Sequence, residues 1–159
     1  MALIWVDADA CPVKGEVETV ATRHRRAVRM VCDGGLRPSR NPLVEMVYVT
    51  EGLDAADDHI ADHAGEGDIV LTNDIPLTDR ALKAGARVLR FDGEELTSRN
   101  IASRLAARNA ADHHRETMAM RLEATKAAGG GRAFTARDRQ SFVNALERLV
   151  RATVPGAAS

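Results

Sequence analysis

The sequence predicts a three-layer α/β sandwich: a parallel sheet of about five strands, helices on both faces, and further helices towards the C-terminus. Two observations carry this reading. Five apolar runs too short for helices alternate with segments whose apolar residues recur at helical spacing. Two of those runs, the first and the fourth, end abruptly in polar or acidic residues, as strands do where they leave a buried sheet. The length of 159 residues suits one domain over 1–150, whose residues from about 94 to 150 form a helical extension, and a frayed tail over 151–159.

Leu3-Ile4-Trp5-Val6 is the first strand, and Asp7 closes it. Pro12 suits the first turn of a helix, where its missing N–H is no loss. Val13, Val17, Val20, Ala21 and His24 then repeat at helical spacing, predicting a helix over 12–25. The second strand is Ala27 to Cys32, ended by the turn Asp33-Gly34-Gly35. Leu36 to Pro42, with two prolines and two arginines, reads as an exposed loop before a third strand over 44–50. A helix over 54–64 follows, broken at Gly65–Gly67, then a fourth strand over 68–71. A short helix over 78–84 stops at Gly85, and a fifth strand covers 86–91. Residues 94–127 are helical by composition, Gly129-Gly130-Gly131 is a break, and Thr135 opens a final helix presenting Phe142, Leu146 and Leu149.

The net charge of −1 is unevenly spread. Residues 51–80 carry nine acids and one base, whereas residues 97–159 carry eleven bases and five acids. An acidic centre beside a basic third suits a cation site next to a phosphate-bearing ligand. A solvated acidic helix beside a solvated basic one would give the same count. No apolar run reaches the roughly 18–20 residues that span a bilayer. Ala2 to Val6 runs straight into Asp7, unlike a signal peptide, so no membrane partner and a cytoplasmic location are expected. Cys11 and Cys32 sit in no CxxC or Cys/His cluster and are expected to be reduced thiols.

In open parallel sheets, ligands bind beyond the carboxyl ends of the strands, where strand order reverses. Asp7 and Asp9 follow the first strand, Asp74 follows the fourth, and Asp79 is expected to open the next helix. With the first and fourth strands as neighbours, these carboxylates converge at one edge. Gathering negative charge there is unfavourable without a cation. Oxygen ligands suit Mg²⁺ or Mn²⁺, which act on phosphodiesters by activating water and stabilising the leaving oxygen. The competing reading is structural, since Asp favours helix caps and turns. One of Asp57 and Asp58 is expected to point to the site, while Asp54 and Asp62 read as helix start and surface. His59 and His63 stand four apart, but no Cys or His at the usual spacing completes a zinc site, so a solvated helix face is expected. Arg23, His24, Arg25 and Arg26 suit the end of the first helix, where cations complement the dipole. Arg37, Arg40 and the C-terminal arginines Arg99, Arg104, Arg108, Arg115 and Arg121 are the candidates for a nucleic-acid backbone.

The strings IWVDADACPVK, GLDAADDHIADHAGEGDIVLTNDIPLTDRAL and FTARDRQSF together resemble the YaiI/YqxD family of bacterial proteins over nearly the whole chain. That family in turn resembles PIN-like nucleases. The resemblance implies a Rossmann-like sheet and strand-end acids that hold Mg²⁺ or Mn²⁺ to cleave RNA or DNA. Carried over by position, it makes Asp7, Asp57 and Asp74 the catalytic acids, with Asp79 as a fourth. Asp9 and Asp58 exceed the broader PIN pattern and enter as accessory metal ligands. The function implied is a divalent-metal-dependent nuclease, with RNA or another single-stranded nucleic acid as substrate. The alternative is a non-catalytic RNA-binding or regulatory module on the same fold. A third reading is a haloacid-dehalogenase-like phosphatase, whose first motif a DxD strand end resembles. That chemistry wants a lysine between the acidic motifs, and none occurs between Lys14 and Lys83.

Overall fold

A computed structural model describes residues 2–50, 52, 54–104, 106 and 133–153. The chain is α/β, as the alternation predicts. Its strands are β1 (Ile4–Asp7), β2 (Val28–Cys32), β3 (Val44–Tyr48), β4 (Ile69–Leu71), β5 (Arg87–Leu89) and β6 (Glu95–Leu96). They form one sheet in the order β3-β2-β1-β4-β5-β6, parallel throughout except for the antiparallel β5–β6 pair. The helices are α1 (Lys14–His24), α2 (Ala55–His63), α3 (Ile75–Lys83) and α4 (Ala136–Ala152), and residues 98–104 are also helical. Among the described residues, no helix is long and apolar enough to cross a membrane.

The alternation of side chains along each strand divides the core in two. Ile4, Val6, Val28, Met30, Ile69, Leu71 and Leu89 meet Val17, Val20 and Ala21 of α1 and Phe142, Leu146 and Leu149 of α4. On the other face Trp5, Val31, Val70 and Val88 meet Ile60 of α2 and Leu77 and Ala81 of α3. The result is a Rossmann-like sandwich, with helices on both sides because parallel strands here are apolar on both sides.

The ends of the layers are tied by buried polar groups. Asp68 accepts from Leu3 N, Trp5 Nε1 and Gly65 N at 2.8, 3.1 and 3.0 Å, fixing the start of β1 against the turn before β4. Glu147 of α4 pairs with Arg23 and His24 at the end of α1. The predicted cationic end of α1 is therefore a docking point for α4 as well as a dipole complement. Thr135 and Asp138 cap α4 reciprocally, as a capping box should.

Three departures from the sequence expectations affect the site. First, α1 begins at Lys14, so Pro12 precedes it, and a 3₁₀ turn over Ala8–Ala10 occupies the space after β1. Second, α3 begins at Ile75 rather than near Thr78. Asp74 caps it by accepting from Leu77 N at 2.8 Å, and Pro76 sits in the first turn. Asp79 therefore lies inside α3 and does not open it. Third, a sixth strand, β6, occupies the beginning of the stretch expected to be helical from 94. Two residues are too few to show a period, and Gly93 at φ +94° makes the tight turn that reverses the chain. Most of the expected helix over 94–127 and the 129–131 break lie outside the described residues.

Candidate functional site

β1 and β4 lie side by side in parallel, and sheet order runs outward from them in both directions. Their carboxyl ends thus form the switch point where such folds bind ligands. Asp7 is the last residue of β1. Thr72, Asn73 and Asp74 follow β4 and lead directly into α3.

Thr72 is fully buried and links the two strand ends. Its Oγ1 donates to Asp7 Oδ2 at 3.3 Å and accepts from Asp74 N at 3.0 Å. Asn73 Oδ1 accepts from Phe91 N at 3.0 Å, tying the same loop to the end of β5. Asp57 stands in the first turn of α2, partly buried.

Burial and neighbouring charge raise two of these carboxylates. Burial pushes Asp7 above the ordinary carboxylate range; the Thr72 bond opposes this, and Asp74 and Asp9 add to it. Asp57 is pushed up to about 6, chiefly by burial and then by the charges of Asp74, Asp7, Asp54 and Asp58. Asp74 thus lies close enough for its charge to act on both Asp7 and Asp57, and the three form one electrostatic unit.

A cavity of about 260 Å³ opens beside this unit, lined by Asp54, Asp57, Asp58, Asp74, Pro76, Leu77 and Arg80. A smaller one of about 110 Å³ is lined by Asp9, Asp33, Asp54 and Asp57 together with residues 49, 52, 55 and 56. Asp57 and Asp54 border both. Asp9 is exposed, and its Oδ2 accepts from Asp33 N at 3.0 Å, so it faces the second cavity.

The other candidates lie outside the unit, although Asp58 lines the larger cavity beside it. Asp58 is exposed and pairs with Arg80 Nη1 at 2.7 Å. Asp79 pairs along α3 with Lys83 at 2.9 Å and lines neither cavity. Arg37 and Arg40 are exposed on the loop after β2 and line neither cavity. Arg104 pairs with Glu94. Arg108, Arg115 and Arg121 lie outside the described residues. His59 and His63 stack on each other with ring centroids 4.1 Å apart and tilt against Trp5 at 5.9 and 6.1 Å, covering the indole.

Sequence reasoning missed Thr72 and Arg80. Starting α3 at Asp74 would have revealed Arg80, since Pro76, Leu77 and Arg80 then share one helix face. Nothing in the sequence marks Thr72, whose importance comes from the register of β1 against β4.

Among the described residues, no group of three or more His, Cys, Asp or Glu side chains is arranged to hold a metal ion. An all-protein cage is therefore absent from them. The donors that do converge are hard carboxylate oxygens, two of them raised by burial and by neighbouring charge, which fits a cation held by one or two carboxylates with water and a ligand phosphate.

Comparison with known proteins agrees with the strings noted in the sequence. A UPF0178 protein of Ruegeria pomeroyi is 51% identical over 152 residues, covering 96% of each chain. One of Roseobacter denitrificans is 50% identical over 157 residues, covering 95% of this chain and 96% of its own. One of Parvibaculum lavamentivorans is 47% identical over 152 residues, covering 96% and 95%. No solved structure matches the chain. The family model described as "Uncharacterized BCR, YaiI/YqxD family" matches residues 5–152, and the chain belongs to that family.

Proposed function

We propose that this protein is a divalent-metal-dependent phosphodiesterase acting on single-stranded nucleic acid, RNA in the first place. The observation that supports this reading is the pair of strand ends at the switch point, bridged by Thr72, where burial and then the charge of Asp74 push Asp7 and Asp57 above the ordinary carboxylate range. A fold keeps such repulsion where a cation offsets it.

In this reading Asp7 and Asp74 would hold Mg²⁺ or Mn²⁺, Asp74 from the position set by the α3 cap and Asp7 from the end of β1, lightly held by the Thr72 hydroxyl. Asp57 occupies an outer position on the far side of the cavity. Asp9, held by the Asp33 amide, adds negative potential. A bound ion would supply Lewis-acid polarisation of a phosphoryl oxygen and favour attack by water. The carboxylates orient the ion, and the buried wall of Leu77 and Thr72 limits solvent access on the sheet side. Asp79 pairs along α3 with Lys83, and Asp58 is held in an ion pair with Arg80 at the edge of the larger cavity, so neither is placed among the ligands in this reading.

The test pairs calorimetry with cleavage. Wild type should bind Mn²⁺ and cleave single-stranded RNA, and Asp7→Asn and Asp74→Asn should lose both while remaining folded. Equal cleavage by wild type and Asp7→Asn, or unchanged Mn²⁺ affinity in Asp7→Asn, would overturn the reading. RNA binding without cleavage would favour a non-catalytic module. Turnover of a phosphomonoester alone would favour a phosphatase.

A further inference from the structure

Four aspartates line the larger cavity, yet a phosphodiester is an anion. Arg80 is the one cationic residue among the described residues that line it. Its place there follows from the helix geometry: Asp74 starts α3, and Pro76, Leu77 and Arg80 share the face turned to α2. Across the cleft, Arg80 Nη1 meets Asp58 Oδ1 at 2.7 Å, and Nη2 lies 3.7 Å from Asp62 Oδ1.

This ion pair is built to be exchangeable. The Arg80 side chain is 44% exposed, and Asp58 and Asp62 are 59% and 68% exposed. Exposed pairs of this kind are held weakly because water screens them. A guanidinium has five donors in a planar fork that matches two phosphate oxygens as well as it matches a carboxylate. Arg80 thus lines the same cavity as Asp74 and Asp57, with donors that Asp58 and Asp62 do not use up.

We infer that Arg80 is the phosphate-binding residue of this site, taking non-bridging oxygens of a phosphodiester while Asp58 and Asp62 hold the side chain over the cleft until the ligand arrives. The inference rests on the site reading above and adds to it the group that recognises the substrate. It also gives Asp58 a role that its place in an ion pair allows: a displaceable partner rather than a metal ligand.

The test uses the full chain, a fluorescein-labelled single-stranded oligouridylate, and Ca²⁺ in place of Mg²⁺ so that binding is read without turnover. Arg80→Ala should weaken binding at least tenfold and lower the slope of log affinity against log salt by about 0.7, the loss of one single-strand phosphate contact. Arg80→Lys should recover part of the affinity and the full salt slope, since it restores the charge without the fork. Asp58→Asn should bind at least as tightly as wild type. A parallel arm with Mn²⁺ and bis(p-nitrophenyl) phosphate separates a small phosphodiester from a nucleic-acid backbone, and there Arg80→Ala should raise KM more than it lowers kcat. Thermal melting checks that each variant is folded.

If Arg80→Ala matches wild type in affinity, salt slope and KM, the inference is overturned and the metal-site reading stands. If wild type binds without cleaving and Arg80→Ala weakens that binding, Arg80 keeps its role and the hydrolase reading falls. If wild type neither binds nor cleaves either probe, both fall.

Discussion

The Thr72 hydroxyl joins the ends of β1 and β4: it donates to Asp7 Oδ2 at 3.3 Å and accepts from the amide of Asp74 at 3.0 Å. The first bond is long for O–H···O, so Asp7 is only lightly held and remains able to turn toward a ligand. The second is the firmer one, and it sets where α3 begins.

Thr72→Val keeps the shape and removes the hydroxyl. The Asp74 amide then loses its acceptor, at a cost of about 1–3 kcal/mol for a buried orphaned donor. Asp7 also loses the one bond that lowers its pKa, so it should titrate still higher. Urea unfolding should show that loss, and NMR titration should show Asp7 moving up, while Thr72→Ser keeps both properties close to wild type. Equal stability of the Val variant and wild type would mean that the bridge contributes nothing.

Asp57 predicts a pH dependence of the metal-free protein. Its folded value of about 6 exceeds the ordinary 3.8, so the folded chain binds this proton more tightly than the unfolded chain does. The stability this contributes is fully present below about pH 3.8 and is lost as pH rises through about 6. Asp57→Asn should therefore stabilise the protein by about 1 kcal/mol near pH 7.5, once solvent screening is allowed for, and by almost nothing near pH 4. Saturating Mn²⁺ should raise the melting temperature of wild type more than that of the variant. An Asn variant less stable at the higher pH would contradict the repulsion at the centre of the site.

The convergence of Asp7 and Asp74 was legible because it needs only two things: acids at strand ends, and β1 beside β4. Both follow from the alternation of short apolar runs with helices. Asp57 needed the family resemblance, since helical spacing alone left Asp57 and Asp58 open. The structure separates them by burial, turning Asp57 toward Asp74 and leaving Asp58 on Arg80. The start of α3 differs from the expectation because Asp74 caps the helix through Leu77 N, and this earlier start brings Arg80 to the cavity and puts Asp79 inside the helix. Strand β6 and the Thr72 bridge were beyond reach for a different reason. Each depends on a contact between segments distant in sequence, and no local period marks it.

Gly93 predicts how tightly α4 is seated. A Cβ there would stand 2.6 Å from the carbonyl carbon and oxygen of Ser141 and 2.8 Å from Phe142 N, all backbone atoms of α4. Its φ of +94° adds backbone strain. Gly93→Ala should cost about 2–4 kcal/mol, from overpacking and strain together. Gly34→Ala is the control: φ is +110°, but nothing lies within 4 Å of the added atom, so only the strain of about 1–2 kcal/mol applies. Similar melting temperatures for the two variants would show that the turn before β6 yields without displacing the helix.

Arg26 predicts that the stability of the fold can be separated from the site. It is 5% exposed, and its guanidinium donates to the carbonyls of Ala2, Gly67 and Val150 at 2.7, 3.0 and 3.4 Å. Those acceptors lie on the approach to β1, the turn before β4 and the last turns of α4, at the edge of the sheet opposite Asp7 and Asp74. Burial disfavours the charge and nearby Asp68 offsets only part of that, so the carbonyl partners matter for holding the group in place. Arg26→Met fills the volume but leaves the carbonyls unpaired and Asp68 without its cation, a loss of about 3–5 kcal/mol. Arg26→Lys should recover less than half of it, because one ammonium cannot span three diverging carbonyls. Hydrogen exchange should speed first in the last turns of α4, where Val150 loses its donor. At temperatures where both variants remain folded, Mn²⁺ affinity should match wild type, because the carboxyl ends of β1 and β4 keep Thr72 and the α3 cap. A parallel fall in Mn²⁺ affinity would mean that the two sheet edges are coupled through the strands between them.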